Sequence, residues 1–267
     1  MLSTWIDKEK DAEEFLYHYK TIETLLLYIL PQKMLIFSDI RKTNDPEEIY
    51  DHGFQMSYDL ELGIDSKDEC IEEFIPNQQR FSDALRKEVK ILCCSQDNCP
   101  KQFEFVRNTG RGFLKPRMWA QYSNNHKGVC LVLNRKKFIE KFNSNFHNRF
   151  HMSREIIYEF DYEKLEKSIR AYTLNTSELK GRDIEEVVAD RIESFTDIYY
   201  FSKHPDWKEE NEYRFLIKAK PNENPKIELD GILNSIILGT QADDLLYKPI
   251  EIMVEKFSYI PDIYKLF

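Results

Sequence analysis

The longest uninterrupted apolar run in this chain, LLLYIL at 25–30, is six residues long. A membrane-spanning helix needs about 20, so the apolar content has to be buried by packing many short elements together. The remaining runs set the pattern. KMLIFS (33–38), ILCCS (91–95), VCLVL (129–133), EIIYEF (155–160), EYRFLIKAK (212–220), KIEL (226–229) and SIILG (235–239) read as short strands. Helix signals separate them. An acidic helix opens the chain at DKEKDAEEF. Thr21 caps IETLLLYIL, which stops at Pro31, and NQQRFSDALRKEV forms a further helix. Pro116 opens RMWAQYSNNH and Gly128 ends it, and RKKFIEKFNSNF follows the strand after that. From 161 to 202 the pattern is helical around a polar break at NTSELKGRD, with Val187, Val188, Ile192 and Phe195 on one stripe. The expected fold is therefore α+β: a mixed, mostly antiparallel sheet with surrounding helices, in a single domain over 1–267 carrying a helical excursion at 161–202.

Charge and glycine content exclude several function classes. The net charge of −9 argues against general duplex binding, which needs a basic surface. The one acid-free basic stretch, RNTGRGFLKPR (107–117), is a loop that either is solvated or holds an anion. With 8 glycines and neither GxGxxG nor GxxxxGK[ST], no glycine-rich phosphate loop is present. Five cysteines without a visible secretory signal point to the reducing cytoplasm. No metal is expected: Cys93, Cys94, Cys99 and Cys130 form no CxxC pair, and His147 and His151 lack an HExxH context.

Three stretches carry candidate chemistry. In NDPEE (44–48), Asp45 caps a helix, Pro46 opens it and Glu48 completes a capping box, which leaves Asn44 over. In MWAQYSNNHKGVC (118–130), Trp119 and Tyr122 share one side of a helix with His126 one turn on. They form either a core stripe or a flat pair able to stack a nicotinamide or nucleobase. In DWKEENEYRF (206–215), strand alternation puts Lys208, Glu210, Glu212 and Arg214 on one side and Tyr213 and Phe215 on the other. That charged side is either solvated or a cleft where neighbouring carboxylates take different pKa values, with Arg214 holding one ionised.

In this order the three blocks resemble an uncharacterised bacterial family known as domain of unknown function 2971. The echo extends to Ile232, Ile236, Ile237, Leu238 and Gly239 of the closing strand, so the resemblance spans about 17–240. A second resemblance, at the level of fold, is to ADP-ribosyltransferases, whose sheet is split. It implies that Lys20, with Tyr19, stands for the basic residue of the first strand, and that Ser38 is the strand-end serine. Glu212 is then the glutamate that holds the nicotinamide ribose, with Glu210 orienting the acceptor and Trp119 and Tyr122 stacking the nicotinamide.

The function expected on these grounds is a cytoplasmic bacterial effector of ADP-ribosyltransferase-like type, linked to phage defence. Its catalytic residues are Glu212, Glu210 and Arg214, and its NAD-binding residues Tyr19, Lys20, Ser38, Asn44, Trp119, Tyr122 and His126. Its partners are a nucleotide-like small molecule and a protein or nucleic-acid acceptor, with no membrane. Two other readings stand beside it. One is a non-catalytic module sensing a nucleotide or a protein. The other is a metal-dependent nuclease built on Asp45, Glu210 and Glu212.

Overall fold

The computed structural model describes residues 15–49, 53–57, 78–98, 110–158, 162–175, 178 and 181–266. Most of the acidic opening segment, the stretch 59–76, the short helix expected around Pro100 to Phe103, Cys99 and Arg107 lie outside the described residues. Among the described residues eight strands form one mixed sheet, mostly antiparallel, as the alternation of short apolar runs with helices leads one to expect.

The centre of that sheet is β1 (Phe15–Lys20), whose sequence FLYHYK alternates cleanly. Phe15, Tyr17 and Tyr19 enter one apolar layer with Phe113, Met118 and Trp119, while Leu16 enters the layer on the opposite face. By the same period His18 and Lys20 project to the Leu16 side.

On one flank β1 pairs with β6 (Val129–Asn134) over its whole length, from Phe15↔Asn134 to Lys20↔Val129. Beyond β6 lie β11 (Leu233–Leu238) and the parallel edge strand β12 (Asp262–Lys265). On the other flank β1 meets β5 (Val89–Gln96) only at Leu16↔Gln96 and Tyr17↔Ser95. From His18 onward that ladder stops.

β5 continues through β9 (Glu212–Lys218) and β7 (His151–Glu155). Towards β1 it is closed at its far end by β3 (Ser38–Asp39), at Ser38↔Ile91 and Asp39↔Lys90. The sheet therefore opens a gap beside Leu92, Cys93 and Cys94. KMLIFS is accordingly two strands rather than one. β2 (Met34–Ile36) turns away to pair with β10 (Lys226–Glu228), and β3 turns back to β5.

One face of the sheet is covered by three helices: α1 (22–32, with a wider turn at 25–29), α5 (Arg135–Phe146) and α8 (Tyr247–Val254). Here α2 is Pro46–Ile49, α3 is 78–87 and α4 is Pro116–Tyr122. The other face is shared by α4, over the β1 side, and α7 (Ile184–Tyr200), over the β9 side. The excursion 161–202 is not helical throughout. Between α6 (Tyr162–Ala171) and α7, the strand β8 (Thr173–Asn175) pairs in parallel with β4 (Gln55–Ser57). Likewise the strand expected at 155–160 lies earlier, at 151–155, because Ile157 leaves β9 to bridge Ser202. No helix among the described residues is long and apolar enough to cross a membrane.

Candidate functional site

The gap in the sheet is a cavity of about 160 Å3. Its walls include His18 and Lys20 from β1, Ser38 and Asp39 from β3, Cys93 and Cys94 from β5, Met118 and Tyr122 from α4, and Lys203, Glu210 and Glu212. The walls belong to segments far apart in sequence, and the missing β1–β5 ladder makes the room between them.

The carboxylates reach the cavity in a way that simple alternation does not capture. Glu210 is not on the strand. It ends a 3-10 turn, Pro205–Glu210, and Asn211 then takes a left-handed conformation (φ 44°) before β9 begins at Glu212. Asn211 is held there by its side-chain amide, which donates to the carbonyls of Gln96 and Asp97 at 3.1 and 3.0 Å. The reversal swings Glu210 round to Glu212, and Lys203 closes the pair at 3.0 Å from Glu210 Oε2 and 2.8 Å from Glu212 Oε2. None of these side chains is solvated: Glu210 is 3 % exposed, Glu212 4 % and Arg214 0 %. The charged side of DWKEENEYRF is thus an interior face from Glu210 to Arg214, and only Lys208 points to water.

Arg214 sits behind the pair. Its Nε and Nη2 donate to the two oxygens of Glu212 at 2.6 and 3.1 Å, and Nη1 donates to the Tyr200 carbonyl at 2.7 Å. The same Nη1 makes an ion pair with Glu48 Oε1 at 2.6 Å. Glu48, expected to fold back on its own helix start in a capping box, therefore reaches across to β9 instead. Asp45 does cap that helix, accepting from the Glu47 amide at 3.0 Å, and burial raises its carboxyl above the ordinary range. Burial also works against the charged form of Glu212. Arg214, and after it Lys203, overcome that and hold its carboxyl well below the usual carboxylate range. On the cavity side Tyr122 donates its hydroxyl to Glu210 Oε1 at 2.7 Å.

The opposite wall carries two basic side chains, His18 and Lys20. His18 Nδ1 stands 2.8 Å from the carbonyl of Cys93, and since a carbonyl only accepts, Nδ1 carries the proton. The imidazole thus satisfies a carbonyl beside the missing ladder and leaves Nε2 as an acceptor. Burial, with the charge of Lys20 beside it, lowers the His18 pKa to about 3, so the ring is neutral at pH 7. Burial likewise lowers Lys20, whose ammonium has no ion-pair or hydrogen-bond partner among the described residues, while its backbone carbonyl accepts from Ser123 Oγ at 3.1 Å.

The other expected binding residues fall on two sides. Ser38, Tyr122 and Lys20 line the cavity, as does Tyr19, although the Tyr19 hydroxyl is engaged with the Gly112 carbonyl at 2.6 Å. Trp119 does not line it. It is 1 % exposed, donates its indole N–H to the Phe113 carbonyl at 2.7 Å and meets Tyr19 edge-on, so no face is offered for stacking. His126 lies beyond α4 in a left-handed run of three residues, Asn124 to His126, and Asn44 is exposed on the bend before Asp45.

That left-handed turn explains the spacing of the MW block. Gly128 and Gly239 allow it to lie flat against the sheet end: a Cβ on Gly128 would meet the Lys20 carbonyl at 2.3 Å, and one on Gly239 the His126 carbonyl at 2.1 Å. Within the described part of the basic loop, 110–117, the basic side chains are engaged with the protein. Arg111 donates to the Tyr17 hydroxyl, Lys115 to the Glu210 carbonyl and Arg117 to the Asp206 carbonyl.

Two residues central to this site escaped the sequence reading, His18 and Lys203, and so did the pairing of Glu48 with Arg214. His18 was within reach, since it shares a strand side with Lys20 two residues on. Lys203, in FSKHPDW, lies in no periodic pattern. Among the described residues no group of three or more His, Cys, Asp or Glu is arranged to hold a metal ion. Cys94 and Cys130 are buried, with their thiols raised by burial. No curated protein and no solved structure matches the chain. Residues 118–215 match a family described as Protein of unknown function (DUF2971), a stretch that runs from Met118 to Phe215 and takes in both the α4 block and the carboxylate block, which supports the family to which the ordered blocks pointed.

Proposed function

We propose that the chain is an enzyme of ADP-ribosyltransferase-like type, which takes NAD into the gap between β1 and β5 and transfers ADP-ribose to a protein or nucleic-acid acceptor. The observation that carries this reading is the opposition across one gap, with His18 and Lys20 on the β1 wall and Glu210 and Glu212 on the other. Glu212 lies level with Tyr17 through the register Tyr17↔Ser95↔Glu212, and Lys20 is three residues further along. At about 3.3 Å per residue along the strand and about 4.8 Å for each of the two strand spacings between them, the backbone positions of Lys20 and Glu212 are about 14 Å apart. NAD pairs a positively charged nicotinamide ring with a negatively charged pyrophosphate, which suits a cavity polarised in this way.

In such a transfer the bond between ribose C1′ and the nicotinamide nitrogen breaks, and its electron pair leaves with the neutral nicotinamide. The acceptor atom bonds to C1′ and gives up its proton. Positive charge builds on the ribose as the bond stretches, and a buried carboxylate stabilises it far more than one in water would. His18 Nε2 supplies an acceptor for a ribose hydroxyl. NAD titrated against the wild type by calorimetry, with nicotinamide release followed in parallel, is expected to show binding and acceptor-dependent consumption, both weakened by Glu212→Gln. If the wild type neither binds NAD nor consumes it with any acceptor, the reading fails.

The crowding of donors around Glu212 favours a second reading, a non-catalytic module that senses a nucleotide-like ligand. It predicts binding without turnover.

A further inference from the structure

We infer that Glu210, rather than Glu212, is the carboxylate that meets the positively charged centre of the ligand. This rests on the cavity being the ligand site proposed above. Two independent features of the cluster lead to it.

The first is acceptor capacity. A carboxylate offers about four lone-pair positions. Glu212 receives Arg214 Nε, Arg214 Nη2 and Lys203 Nζ at 2.6, 3.1 and 2.8 Å. One position at most is left for a ligand. Glu210 receives two donors, the Tyr122 hydroxyl on Oε1 and Lys203 on Oε2, so each oxygen keeps one position open while lining the cavity.

The second is charge. Glu48, Glu212 and Glu210 are set against Arg214 and Lys203, three negative groups against two positive ones. Arg214 lies between Glu48 and Glu212, and Lys203 between Glu212 and Glu210. Glu48 and Glu210 are therefore the two ends of the chain, each with a share of one cation, and of the two only Glu210 lines the cavity. A buried charge left without a partner is unfavourable, and a cationic ligand group seated against Glu210 supplies what is missing. The backbone is already set for it: the Glu210 carbonyl accepts from Ser95 Oγ at 2.6 Å and from Lys115 Nζ at 2.9 Å, so the side chain is presented from a fixed turn.

The test compares ligands that differ in ring charge. NAD and NADH carry a positive and a neutral ring, as do 1-methylnicotinamide and nicotinamide. The wild type is expected to prefer the charged member of each pair. Glu210→Gln should weaken the charged member by about tenfold and spare the neutral one, erasing the preference. Glu212→Gln should weaken both members in parallel and lower the unfolding temperature. Should Glu210→Gln fail to fold, Glu210→Asp, which withdraws the carboxylate by one carbon, is read in the same way. If the dinucleotides do not bind but 1-methylnicotinamide is still preferred through Glu210, the NAD reading falls and this inference stands. If no charged probe is preferred, or if Glu210→Gln keeps the preference, the inference is overturned.

Discussion

Among the buried arginines that have carboxylates against them, Arg191 and Arg214 do different work. Arg191, on α7, is 4 % exposed and donates to the carbonyls of Arg170, Ala171 and Thr173 as well as to Glu178. Its carboxylate partner is 38 % exposed, and neither residue lines the cavity between β1 and β5. It is a staple that gathers the end of α6 and the start of β8 onto α7. Arg214 is 0 % exposed, and its carboxylate partners, Glu48 and Glu212, are buried too, at 6 % and 4 %. Behind them the chain of charges runs on through Lys203 to Glu210 and opens into a cavity. An arginine satisfied mostly by carbonyls stabilises a loop. One placed between buried carboxylates, at the closed end of an ionic chain that reaches a cavity, maintains charge where a ligand can use it.

The largest expected effect breaks this comparison most directly. Arg214→Met leaves Glu48 and Glu212 buried without their cation and should destabilise the fold by about 3–5 kcal/mol. Arg191→Met loses hydrogen bonds, but Glu178 can turn to water, so about 1–3 kcal/mol is expected. Urea unfolding of both variants measures the difference, and equal losses would mean that the two sites are alike.

A smaller effect sharpens the cavity side. The unfolded chain binds a proton on His18 near the ordinary value of about 6.5, but the folded chain does so only near 3. The unfolded state therefore takes up more protons as pH falls through this window, and the native state loses stability. From pH 6.5 to pH 5 the loss attributable to His18 is about 2 kcal/mol. His18→Asn should flatten that part of the stability curve, followed by thermal unfolding at each pH. An unchanged slope would show that His18 is not the buried neutral group described above.

The smallest effect concerns the cover of the ionic chain. Trp207 lies with Arg117 over its ring at 4.8 Å and Lys203 at 5.5 Å, and Arg117 is only half-buried. Arg117→Ala should weaken the fold by about 0.5–1 kcal/mol and make Trp207 fluorescence more accessible to a soluble quencher. A loss as large as that of Arg214→Met would make this cover part of the core.

Much of the fold was legible in the chain. The runs at 91–95, 129–133, 212–220 and 235–239 became β5, β6, β9 and β11 because short apolar runs bounded by turn residues have few other ways to be buried. Caps such as Thr21 and Asp45 fall where expected, since a side-chain acceptor for an unpaired amide is a local requirement. Strand breaks were not legible. The split of KMLIFS at Phe37 depends on which distant strand each half can reach, and the left-handed turn at Asn211 depends on carbonyls of Gln96 and Asp97 more than 110 residues earlier in the chain.

The same division runs through the site. The sequence by itself determined which residue types were on hand and that Glu212 and Arg214 share one side of a strand, because side-chain alternation is a property of the local backbone. Tertiary structure alone decided that this side is buried, that Lys203 joins Glu210 to Glu212, and that Trp119 supports the wall while Tyr122 faces the cavity. It also decided where the cavity lies, since β1 and β5 share two register pairs and then part. Hydrogen-bond register between strands some 80 residues apart is set by everything packed on both faces of the sheet, and no local periodicity records it.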